Sequence, residues 1–172
     1  MKTIKGPAVF LAQFVDSKEP FNSLDGMCKW AADLGYKGIQ IPTWEPGLFD
    51  LEKAAESKTY CDEIKGKVAS YGLEITELAS NLQGQLVAVH PAYDNMFDSF
   101  APKKYWNNPK ARTEWAVEQL KNAAKASRDF GIDVHGTFSG SLLWHTAHPW
   151  PQRPGAWWRW DLRNWLNVGC RY

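Results

Sequence analysis

The chain has 172 residues, a formal net charge of +1 and 44% hydrophobic residues, which suits one domain with a core of its own. So small a charge excludes a strong electrostatic pull toward nucleic acid or an anionic membrane. No apolar run is long enough to cross a bilayer.

In chain order, residues 8–15 form a continuous apolar run broken only by Gln13 and predict a first buried strand. The run is short and lacks a small-residue cleavage pattern, so it does not read as a signal peptide. Ser23 is placed to cap a helix whose Leu24, Met27, Cys28, Ala31 and Leu34 recur at helical spacing. Gly35 ends that helix, and residues 38–41 give a second strand stopped by Pro42. Asp50 and Ser57 predict two short helical pieces, the second with Cys61, Ile64, Val68 and Tyr71 on one face. Within it Gly66 costs about 1 kcal/mol relative to alanine. Residues 73–79 give a third strand.

Asn108-Pro109 is the strongest helix start in the chain, an N-cap residue followed by proline at the first helical position. Ala116, Val117, Leu120, Ala123, Ala124 and Ser127 make the expected inner stripe, Phe130-Gly131 the stop, and residues 132–137 a fourth strand. Strands alternating with helices in this way imply a parallel sheet with right-handed crossovers. The helix-to-strand turns are a few residues long, whereas two long insertions, 81–108 and 139–154, follow the third and fourth strands. That asymmetry fits (β/α) enzymes, whose chemistry sits on the loops at the C-terminal strand ends.

The strand ends bear a polar and aromatic set: Gln13, Phe14, Trp44, Glu45, Glu77, Asn81, His90, Tyr93, Phe138, Ser139, Trp144, His145 and His148. Such a mixture suits a carbohydrate, with aromatic faces for C–H surfaces and polar groups for hydroxyls. Trp44 and Trp144 serve equally well to pack their loops. His90, in Val87-Ala88-Val89-His90-Pro91 just past a β-rich run, is either a substrate hydrogen-bonding group or a histidine that orients its loop. His135 lies within the fourth strand and faces either the barrel interior or the helix layer. Glu45 and Glu77 follow or lie in successive strands; paired carboxylates can act as acid and base, or each can orient a neighbour. His145 and His148 have no carboxylate or cysteine beside them to complete a metal site. The chain has no Gly-rich phosphate loop, GxSxG elbow or HExxH motif. The three cysteines, Cys28, Cys61 and Cys170, lie far apart without CxxC spacing; they read as reduced, structural thiols of a cytoplasmic protein.

Ile39-Gln40-Ile41-Pro42, Leu86-Val87-Ala88-Val89-His90-Pro91-Ala92-Tyr93-Asp94, and Phe138-Ser139-Gly140-Ser141-Leu142-Leu143-Trp144-His145 with Trp150-Pro151-Gln152-Arg153-Pro154 resemble the sugar phosphate isomerases/epimerases. These belong to the xylose-isomerase-like TIM barrels, a superfamily that also contains inositol-pathway dehydratases and zinc-dependent apurinic endonucleases. The resemblance covers about residues 4 to 154. It implies the N-terminal half of a (β/α)8 barrel, with about four parallel strands and flanking helices. It also implies an isomerase or epimerase acting on a sugar or sugar phosphate, in which a divalent ion (Mn2+, Mg2+ or Co2+) supports proton transfer next to a carbonyl through an enediolate. The family's Glu, Asp, His and Glu metal ligands come from later strands, so no metal ligand and no catalytic residue carries over, and no cofactor is expected for these residues alone. Substrate-facing residues remain: His90 and Trp144 first, then Trp44, Glu45 and Glu77.

Residues 1–154 are thus expected to be the partial barrel and 155–172 an atypical tail. No lysine follows Lys125, and four of the six arginines fall between Arg153 and Arg171, the bias expected if a frameshift near Pro154 had left the chain truncated and inactive alone. The alternative is a non-catalytic fragment or interaction module. Trp158, Leu162, Trp165 and Leu166 recur at helical spacing and could cover a sheet edge. A relative of the apurinic endonucleases would want more His and carboxylate ligands. The expected partner is a small sugar, with neither nucleic acid nor membrane, and four strands that do not close a barrel are expected to self-associate through their open edges.

Overall fold

A computed structural model describes residues 5–143 of the chain. The elements run β1 (Ala8–Phe10), α1 (Leu24–Asp33), β2 (Gly38–Pro42), α2 (Leu51–Glu56), α3 (Lys58–Ser70), β3 (Glu74–Ala79), α4 (Asn81–Gln85), α5 (Pro109–Phe130) and β4 (His135–Gly136), with 3-10 turns at Leu11–Phe14, Pro91–Phe100 and Lys103–Tyr105. The four strands form one parallel sheet in the order β1-β2-β3-β4. The described residues divide into two compact units, one of residues 5–80 with 121–136 and one of residues 81–120 with 137–143.

The helices start where short polar side chains satisfy their first free N–H groups. Ser23 accepts from Gly26 N (3.2 Å), Asp50 from Lys53 N (3.0 Å), Ser57 from Tyr60 N (3.2 Å) and Asn108 from Ala111 N (3.2 Å). The stops at Gly35, Gly72 and Gly131 take φ of 85°, 72° and 71°, the left-handed turn that a side chain disfavours. Turns of three or four residues then lead directly into β2, β3 and β4.

In the first unit the apolar side chains of one sheet face pack on the helices. Val9, Leu11, Ile39, Ile41 and Leu78 share a core with Leu24, Met27, Cys28 and Ala31 of α1, Cys61, Ile64 and Val68 of α3, and Ala123, Ala126 and Phe130 of α5. A strand alternates its side chains between faces. Burial of Ile39 and Ile41 therefore sends Gln40 to the face away from the helices.

The second unit has its own core, in which Leu86, Val87 and Ala88 pack with Phe97, Ala116, Val117 and Leu142. Among its described residues the largest buried side chain is charged. Arg112, 1% exposed, pairs with Asp94 (2.6 Å) and Asp98 (2.5 Å) and also donates to the Asp94 carbonyl. Asp98 in turn accepts from Asn107 N, so one guanidinium ties the 3-10 segment and the approach to α5 together.

Several expectations are corrected. The first strand ends at Phe10, because residues 11–14 close into a 3-10 turn. The fourth is paired only at His135 and Gly136. The β-rich run before His90 is a turn: its apolar side chains fill the second unit's core rather than join a sheet. On α5, Ala124 is exposed and Ala126 is buried in its place. The 81–108 insertion is largely helical.

Candidate functional site

The face of the sheet turned away from the helices carries a row of side chains in register. Phe10 pairs with Gln40, and Gln40 with Glu77. Ala79, two residues beyond Glu77 and hence on its face, pairs with Gly136 of β4. A Cβ placed on Gly136 would lie 3.1 Å from Gln40 Nε2, 3.6 Å from Glu77 Oε2 and 3.9 Å from the Ala79 methyl. An amide that donates and a carboxylate that accepts therefore converge over a residue with no side chain. No hydrogen bond to a described residue occupies either group, although both are half-buried.

Aromatic and acidic groups flank the row. Trp44 meets Phe10 edge-on, with ring centroids 6.2 Å apart. Glu45 opens the turn after β2, its carbonyl accepting from Leu48 N and Phe49 N. Burial pushes the Glu45 carboxyl above the usual carboxylate range, and a hydrogen bond from the Trp44 side chain partly offsets this. The structure thus joins Trp44 to Phe10 and Glu77 to Gln40. Phe14, by contrast, packs against Phe21 and Trp30 in an aromatic cluster.

His135 points to the helix layer. Its ring bridges Ser80 Oγ (2.8 Å) and Ser127 Oγ of α5 (3.1 Å), and burial lowers its pKa. In the second unit, His90 Nδ1 accepts from Ala92 N and caps the 3-10 helix, with its ring centroid 5.7 Å from that of Tyr93. That use of Nδ1 is what a loop-orienting histidine does. Trp144, His145, His148 and the 155–172 tail lie outside the described residues.

Gln40 and Gly136 were not singled out from the sequence as site residues. The signals were there: Gln40 is the one polar residue between Ile39 and Ile41, and Gly136 is a glycine inside a strand. A concavity of about 460 Å³ lies at the other ends of the strands, lined by Lys65, Glu74, Ile75, Thr76, Ile132 and Asp133 among others. It opens where the chain before β4 runs unpaired beside the start of β3.

The family model for the xylose isomerase-like TIM barrel matches residues 28–167. The chain belongs to the xylose isomerase-like TIM barrel family. Its four parallel strands with flanking helices are a partial TIM-barrel fold, and in this family's architecture the polar row lies on the barrel's inner face. No curated protein matches the chain. Among the described residues no three His, Cys, Asp or Glu side chains cluster as metal ligands. No helix among them is long and apolar enough to cross a membrane.

Proposed function

We propose that the chain binds a small sugar against the inner face of its sheet and belongs to isomerase or epimerase chemistry, moving a proton next to a carbonyl. The observation that carries this reading is the convergence of Gln40 and Glu77 over Gly136. A sugar hydroxyl is both donor and acceptor. The Glu77 carboxylate can accept its hydrogen, and the Gln40 amide can donate to a neighbouring oxygen. The Phe10–Trp44 pair offers an apolar edge to the C–H side of such a ligand.

Glu45 suits proton transfer better than an ordinary surface carboxylate. Burial holds its carboxyl above the usual carboxylate range, the direction that helps a group both to take and to return a proton. Incubation of the full chain with free ketohexoses, with and without Mn2+, Mg2+ or Co2+, should yield isomeric or epimeric sugars on chromatography. Glu45→Gln should lower the rate by roughly 10²-fold or more. No product under any of these conditions would refute the catalytic part of the reading.

A further inference from the structure

The concavity at the other ends of the strands is a gap in the sheet ladder. Pairing of β3 with β4 is confined to Leu78 with His135 and Ala79 with Gly136. Carried back along the same register, Ile75 would lie opposite Ile132 and Glu77 opposite Val134. The chain leaves that path. Ile132 N donates instead to the Ser127 carbonyl of α5 (2.9 Å), and Lys65 Nζ of α3 holds the Phe130 carbonyl (2.9 Å). Both bonds tie the segment to the helix layer and leave about 460 Å³ beside β3, within the range of ligand-sized sites. Glu74 N donates to the Lys37 carbonyl (3.0 Å), on the β2 side, and successive residues of a strand turn their backbone groups to alternate edges. The N–H and C=O of Ile75 therefore face the gap.

The side chains around the gap alternate as well. Ile75 and Ile132 pack against the core of the first unit, whereas their neighbours Glu74 and Asp133 are exposed carboxylates on the lining. Val134, 43% exposed, adds β-branched surface. Lys65 is the one cation among the described lining residues, so the gap carries two carboxylates against one ammonium. We propose that it is a docking site for an extended segment of a partner protein in which β-branched apolar residues alternate with lysine or arginine. Such a segment adds its backbone N–H and C=O groups to the Ile75 edge as an inserted strand. Its apolar side chains then cover Ile75 and Ile132, and its cations stand beside Glu74 and Asp133. None of Gln40, Glu77 and Gly136 lines the gap, so docking there stands or falls apart from sugar binding.

Titration of the isotope-labelled full chain with the acetylated, amidated peptide lysine-valine-lysine-valine-lysine, followed by amide NMR shifts, tests this. Saturable shifts should concentrate at residues 74–76 and 130–134. Methylating every peptide nitrogen removes the backbone donors and keeps the side chains, so it should weaken binding roughly tenfold or more. Glu74→Gln in the chain should weaken the basic peptide roughly twofold to fivefold, and glutamates in place of the peptide's lysines should weaken it at least as much. Shifts that do not saturate or that centre elsewhere, or a methylated peptide that binds as tightly, overturn strand insertion. An acidic peptide that binds as tightly as the basic one overturns the cationic partner. Shifts at the same residues on concentrating the chain alone give the gap to a second copy, and overturn the proposal likewise.

Discussion

His135 illustrates how burial sets a residue's chemistry. Its pKa is lowered from the ordinary 6.5 by burial, so between its folded value and 6.5 the unfolded chain binds more protons than the folded one. Its contribution to stability is therefore complete above about pH 6.5 and lost as pH falls through the folded value. Denaturation midpoints measured from pH 8 to pH 5 should fall on acidification, and His135→Gln should flatten part of that slope. A wild-type midpoint that rose on acidification would contradict the assignment. The two described cysteines follow the same logic. Burial pushes the Cys28 thiol up to about 12 and Cys61 to about 11, and Cys61 Sγ donates to the Ala54 carbonyl. Both should resist thiol reagents at pH 8 until the chain unfolds. Their inert, structural character was legible in the sequence from their helical spacing among apolar neighbours. The orientation of His135 was not, because it depends on Ser127, brought near by the packing of α5 on the sheet.

Among the elements, α3 carries a correctable weakness and the second unit a costly device. Gly66 in α3 has open space where a Cβ would stand. Gly66→Ala should therefore stabilise the chain by about 1 kcal/mol through helix propensity, seen as a raised thermal midpoint. Arg112 is the opposite case. Removing it strands Asp94 and Asp98 beside a buried gap, and Arg112→Ala should cost roughly 3–5 kcal/mol, with faster amide exchange in residues 94–108. Helix starts and stops were readable because each rests on a local pair or a single glycine, such as Asn108 with Ala111 N or Gly131 after Phe130. The ion-pair clamp was hidden, since its partners lie 14 and 18 residues from Arg112. Strand lengths were overread at residues 8–15 and 132–137 because an apolar run does not record where backbone pairing ends.

For the molecule as a whole, the alternation of strands and helices foretold the parallel sheet, and the family match agrees with it. The site was only partly legible. Glu77 and Trp44 stood out as strand-end residues, but strand register sets Gln40 opposite Glu77 and a ring contact sets Phe10 against Trp44, neither of which a linear pattern prints. Among the described residues the sheet's edge strands, β1 and β4, are three and two residues long, and short edges offer few backbone groups to another chain. Self-association through them is accordingly proposed to be weak, and light scattering should show a mass that rises only at high protein concentration. The central claim is that the inner face holds a sugar for proton transfer beside its carbonyl. Its most direct test is proton NMR of a free ketohexose incubated with the full chain in deuterium oxide. Loss of the signal from the C–H next to the carbonyl, slowed in Glu45→Gln and Glu77→Gln, is the result predicted. A signal that persists unchanged, with the divalent ions present as without them, would contradict the account.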